Sequence, residues 1–203
     1  MPAKPIPKDQ LVQVASSSVK YKDIFDMKTF YEALHEWLAE YQWTDIQDKS
    51  DKYETFYGER IGRDGAKELW IRWRMHRNPE GAPMLTYYLD FDYHCLQLIS
   101  TEVVREGKKL KVNKGEVEII VKAFIEEKYK EKFAGHSLLR HVGGLFSRRI
   151  YDVIMNQRKK ELYQEVYILL NFIKQWFKLK RYHPYEEVKP FQTSYAWPSH
   201  LEK

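Results

Sequence analysis

Residues 85–95 read LTYYLDFDYHC, and this pattern leaves little freedom in how they fold. Leu85, Tyr87, Leu89, Phe91, Tyr93 and Cys95 are apolar or aromatic, whereas Tyr88, Asp90, Asp92 and His94 fall between them. Successive side chains of a strand point to opposite faces, so the alternation predicts a half-buried β-strand. After Cys95 it slips, because Leu96 and Leu98 take the formerly polar positions. A β-bulge, or a sheet edge passing under a covering element, accounts for such a slip.

The flanking segments supply partners for this strand. A strand over about 54–61 meets the Asp64-Gly65 pair, a strong hairpin signal, and ELWIRWRMHR returns over about 68–77. A two-residue turn at Asp64-Gly65 sets Ile61 against Glu68, Glu59 against Trp70 and Tyr57 against Arg72 on one side. Phe56, Gly58, Leu69, Ile71 and Trp73 then form the core side. NPEGAP breaks the pattern before residue 85, VVREGKKLKV reads as a further hairpin, and GEVEIIVKAFIEEKY as a last long strand.

Helical periodicity appears on both sides of the strands. Asp26 is placed to cap a helix over MKTFYEALHEWLAEYQW, with Phe30, Leu34, Trp37, Leu38 and Tyr41 on one stripe and His35 and Glu36 on the solvated side. HSLLRHVGGLFSRRIYD, interrupted at Gly143-Gly144, leads into a long helix to about Lys180, ended by Pro184. Ile150, Ile154, Val166, Leu169, Leu170, Ile173 and Phe177 recur at helical spacing along it. The expected fold is therefore α+β: a single antiparallel sheet of about 5–6 strands, with an N-terminal helix and a long C-terminal helix packed on one face. Residues 1–20, with Pro2, Pro5, Pro7 and the SSS run, read as a flexible arm, 21–182 as one domain, and 183–203 as an extended tail.

A chain of 203 residues with 43% apolar and 31% charged residues suits one globular domain with a sizeable core. The lone Cys95 allows no disulfide within the chain, reads as a buried thiol and points to a reducing compartment. No run reaches the roughly 18 apolar residues of a transmembrane helix, and MPAKPIPKDQLVQ lacks the apolar core of a secretory signal. A cytoplasmic location is expected.

Two regions are candidate sites. Folding 68–77 onto 85–95 gathers Trp70, Arg72, Arg74, Tyr88, Asp90 and Asp92 on the outward face, beside Tyr57, Glu59, His76 and His94. The simplest reading of this row is a ladder of cross-strand ion pairs, each worth about 0.2–1 kcal/mol. A ligand- or partner-binding face is the second, since Trp, Tyr and Arg are enriched at interfaces. A metal or acid–base site is the third, but alternate residues on one strand spread over about 13 Å, too far for one ion unaided. The other region is basic: Arg148-Arg149, Arg158-Lys159-Lys160, and the 174–181 stretch with Lys174, Lys178, Lys180 and Arg181. Such residues complement a helix C-terminus, or contact the phosphates of nucleic acid or an anionic membrane surface.

Nucleotide-binding glycine motifs, HExxH, GxSxG and paired CxxC are all missing, and His136 and His141 are five apart, off one helix face. No cofactor is expected. The net charge of +5 is compatible with an anionic partner. The order of helix, antiparallel sheet and long C-terminal helix is loosely similar to ligand-cavity α+β folds. The expected function is a non-enzymatic binding or adaptor domain with a basic helical surface for an anionic partner. The alternative is a small-molecule or lipid carrier with its cavity between sheet and C-terminal helix. An enzyme depending on a metal or on Asp90, Asp92, His94 and His76 ranks third.

Overall fold

The computed structural model describes residues 10–46, 53–105, 108–128 and 152–179. Six strands make one antiparallel sheet: β1 (Leu11–Phe25), β2 (Thr44–Asp45), β3 (Glu54–Ile61), β4 (Lys67–Arg77), β5 (Leu85–Arg105) and β6 (Lys108–Glu127). Its order is β1-β6-β5-β4, and the far edge of β4 is shared by β2 and β3. Helix α1 (Met27–Glu40) follows β1, and α2 (Asp152–Trp176) is the second described helix. The expected α+β architecture is present, with one difference at its start. Residues 11–20, expected as part of an arm, belong to β1, which pairs with β6 from Leu11↔Glu126 to Phe25↔Asn113. Prolines and serines suggested looseness, but pairing along a whole neighbouring strand satisfies the backbone of this segment. The expected helix around Gly143-Gly144, the Arg148-Arg149 pair and the tail 183–203 lie outside the described residues.

The core lies between one face of the sheet and the two helices. Trp73, Met75, Leu89, Phe91, Ile119 and Ile125 of the sheet are at most 1% exposed. They meet Phe30, Leu34 and Leu38 of α1 and Leu162, Val166, Leu169 and Ile173 of α2. Full burial of each such side chain contributes about 1.5–3 kcal/mol. Asp26 caps α1 as expected, its carboxylate accepting from the Thr29 amide at 3.1 Å. His35 is half-buried, its ring stacked on Tyr53 at 4.0 Å.

Both helices stop earlier than their apolar stripes suggest. Gln42 (φ 61°) and Lys178 (φ 53°) are left-handed, and each is followed by a residue whose amide reaches back five positions. Trp43 N donates to Leu38 O at 2.9 Å, and Leu179 N to Lys174 O at 2.8 Å. These are Schellman closures without glycine, so α2 ends at Trp176, well before Pro184. The end of α1 is also tied to the rest of the fold through Arg77 of β4. Its guanidinium lies 4.8 Å from the Trp43 ring centroid and donates to the Tyr41 carbonyl (2.7 Å) and Glu165 of α2 (2.6 Å). Glu165 accepts the Trp43 indole N–H as well, at 2.7 Å.

The β3–β4 turn corrects the expected register. Gly62 N donates to Ala66 O at 2.8 Å, which closes a three-residue loop over Arg63, Asp64 and Gly65. A two-residue type I′ turn needs two residues at positive φ, and in this loop only Gly65 (φ 78°) has one. Ile61 therefore pairs with Lys67, Gly58 with Trp70 and Phe56 with Arg72. A one-residue slip moves every side chain to the other face. Tyr57 and Glu59 accordingly line the helix side, and Phe56 and Gly58 the outward side.

The expected bulge is present. Leu96 pairs with Glu116 and Ile99 with Lys114, with Gln97 left-handed (φ 51°) between them. Gly115 sits opposite, where an added Cβ would come within 2.9 Å of the carbonyl oxygens of both Leu96 and Gln97. The bulge turns Leu98 into the core at 5% exposure.

Candidate functional site on the two faces of the sheet

The outward face carries the row predicted from the alternation. Register sets Trp70 opposite His94, Arg72 opposite Asp92, Arg74 opposite Asp90 and His76 opposite Tyr88. Tyr88, Asp90 and Asp92 are half-buried, in contrast to Leu89 and Phe91 in the core. Arg74 is the centre of the row: it donates to Asp92 at 2.6 Å and to the carbonyls of Trp73 and Phe91 at 2.9 Å, and lies 3.5 Å from Asp90. Arg72 reaches Asp92 at 3.7 Å and packs over the Phe56 ring. Burial raises the Asp90 pKa above the usual carboxylate value, against the opposing pull of Arg74.

The imidazole does not join the two aspartates. His94 stacks on Trp70 and lies 3.1 Å from Glu68, which also takes Arg60 at 2.8 Å. Tyr88 donates to Glu126 at 2.9 Å, and burial together with that bond raises the phenol pKa. Among the described residues no three His, Cys, Asp or Glu side chains are placed to hold a metal ion. Cys95 is fully buried, and desolvation pushes its thiol up to about 12.

The basic residues of α2 are spread out. Arg158 is engaged by Glu161 (2.9 Å) and the Glu80 carbonyl (3.1 Å). Lys159 and Lys160 border a surface groove of about 350 Å³ between β1 and α2, with Val12, Val14 and Tyr163. Lys174 follows Lys160 by about 21 Å along the helix at 1.5 Å per residue, and Lys178 lies just past the helix end. Lys180 and Arg181 lie outside the described residues.

A larger concavity, of about 570 Å³, opens on the helix side of the sheet beyond the bulge. Its floor is apolar: Met27, Leu69, Ile71 and Leu98, each under 9% exposed. One wall is a set of closed pairs. Trp73 Nε1 donates to Tyr31 Oη (2.8 Å), and Tyr31 Oη donates to Glu54 (2.6 Å). Glu59 accepts from Tyr57 (2.7 Å) and holds Lys67 at 2.8 Å. The Glu59 bond, with burial, pushes the Tyr57 phenol up to about 12. The opposite wall is the continuation of β5 and β6, with Ser100, Lys111 and Asn113.

This cleft is not legible in the sequence. Its residues come from α1, β3, β4, β5 and β6, and only the turn register and the bulge turn them toward one another. The one trace in the sequence is the slip of alternation after Cys95. Compared with known proteins, the chain matches no family model and no curated relative.

Proposed function

We propose that this chain is a binding domain, not a catalyst, and that it holds a small, partly apolar ligand in the cleft beyond the bulge. The observation that carries this reading is the cleft itself. A volume of about 570 Å³ suits a drug-sized molecule, and an apolar floor ringed by a few polar groups is the usual composition of such sites. The place differs from that of the expected carrier cavity. Against α2 the sheet is packed by Leu162, Val166, Leu169 and Ile173, and the space there is the smaller surface groove of about 350 Å³ between β1 and α2, so the larger cleft beside α1 is favoured. The carboxylates and phenols of the β3 wall are engaged with one another, which supports binding over acid–base chemistry.

The test is a panel of small apolar and amphipathic compounds screened by thermal shift on the full chain and on Ser100→Trp. Ser100 is an exposed rim residue, so the indole fills the cleft with little effect on the core. Ligands that raise Tm in the parent and not in the variant are expected. A panel without effect on the parent, or with equal effect on both, overturns the reading.

A second reading rests on Lys159 and Lys160, which border the groove between β1 and α2. It makes that groove a contact for an anionic partner, nucleic acid or membrane surface, with a steep loss of binding in salt. Parallel titrations with nucleic acid and anionic vesicles test it, and no binding to either at low salt removes it. A protein partner on the Trp70–Arg72 face is the third possibility to compare, by pull-down with Trp70→Ala as control.

A further inference from the structure

The two walls of the cleft differ in what they leave unpaired. On the β3 wall Glu54 takes the Tyr31 hydroxyl, and Glu59 takes Tyr57 and Lys67. At the cleft mouth Lys28 lies 3.8 Å from Glu32. On the β5–β6 wall Ser100, Lys111 and Asn113 make no side-chain hydrogen bond or ion pair among the described residues. Glu102, across the ribbon from Lys111 in register, has its contact with Lys109 at 4.0 Å instead. Ser100 and Asn113 are themselves a cross-strand pair, and Lys111 lies two residues along the same face. One ammonium, one amide and one hydroxyl thus stand together as free donors above an apolar floor.

We infer that the cleft takes an amphipathic acid: a single carboxylate received by Lys111, Asn113 and Ser100, with an apolar body laid over Leu69, Ile71 and Leu98. A carboxylate offers acceptor positions only, which matches three donors, and a charged acceptor makes each of these bonds stronger than a neutral one. The apolar body packs on the edges that Leu69, Ile71 and Leu98, themselves nearly buried, present to the cleft. Glu54 keeps one oxygen beyond the Tyr31 bond, so an amine is the competing head group, and the experiment includes it. This inference rests on the proposed binding role of the cleft.

The experiment is calorimetric titration of the full chain with octanoate, octanol and octylamine, which share one tail and differ in the head. Octanoate is expected to bind at least about tenfold tighter than either of the others, a difference near 1.4 kcal/mol. In Lys111→Gln that preference collapses toward one, while octanol binding is unchanged. Equal binding of all three in the parent, or a preference for octylamine, overturns the acid inference and leaves the cleft reading standing. No binding of any of the three overturns the acid inference, and the wider panel then decides the cleft reading separately. A preference for octanoate that survives both Lys111→Gln and Ser100→Trp places the acid elsewhere and overturns the inference.

Discussion

Strands β5 and β6 form one continuous hairpin whose two halves behave differently. In the first half, Leu85, Leu89, Phe91 and Cys95 of β5 and Val117, Ile119, Val121 and Ile125 of β6 lie in the core, none more than 1% exposed. In the second half, past the bulge at Leu96–Ile99, Ile99, Val104 and Leu110 are 46%, 66% and 45% exposed. Composition does not separate the halves, since both carry β-branched residues. Coverage does. The helices pack over the first half only, and the bulge redirects the second half so that its inner face becomes a wall of the cleft. A strand's propensity states that it pairs, and its neighbours decide whether pairing ends in a core or in a site.

The largest expected contrast is in thiol reactivity. Cys95 is buried with its thiol pushed up to about 12, so a thiol reagent at pH 8 reaches it only through global opening. A cysteine introduced as Val104→Cys should react roughly a thousandfold faster or more, given an opening cost of about 5 kcal/mol or above. Comparable rates measured by mass spectrometry would show that the first half opens as readily as the second.

Stability should divide the halves in the same way. Phe91→Ala leaves a cavity in the core and is expected to cost about 3–5 kcal/mol in urea unfolding. Val104→Ala should stay within about 0.5 kcal/mol of the parent. A cost above 1 kcal/mol for Val104 would mean that the ribbon is covered in solution.

The junction between the halves is the next test. Gly115→Ala sets a methyl against the carbonyl oxygens of Leu96 and Gln97, and neither backbone can yield cheaply. A loss of about 1–3 kcal/mol is expected, with NMR shift changes centred on the bulge. Because the bulge orients Ser100, Lys111 and Asn113 toward the floor, ligand binding in the cleft should weaken together with stability. Unchanged binding in the folded variant would detach the cleft from the bulge.

The smallest effect concerns the outward face of the covered half. Burial raises the Asp90 pKa above its ordinary 3.8, so the folded chain keeps this proton to higher pH than the unfolded chain. Stability from this group therefore falls as pH rises from about 3.8 through the folded value, and is level above it. Asp90→Asn removes that slope, so the parent-minus-variant stability should decline with pH across this window. A rise over the same window would mean that Arg74 and Lys122 outweigh burial at this carboxylate.

The sequence by itself determined the parts of this protein that depend on local periodicity. The alternation of 85–95 dictated a strand with Phe91 inside and Asp90 outside, the Asp26 cap placed the start of α1, and the slip after Cys95 marked the bulge. The pairing of Arg72 and Arg74 with Asp90 and Asp92 followed from the same alternation, because antiparallel neighbours with one buried face have few registers open to them. Tertiary structure decided what local pattern cannot carry. A single residue of loop length at Arg63–Gly65 sent Tyr57 and Glu59 to the helix side, and non-glycine closures at Gln42 and Lys178 set where the helices end. Pairing with β6 made a strand of residues 11–20. The cleft belongs to the second class: its floor, closed wall and donor wall come from five elements far apart in the chain, and only their packing together creates an unfilled space with Lys111 beside it.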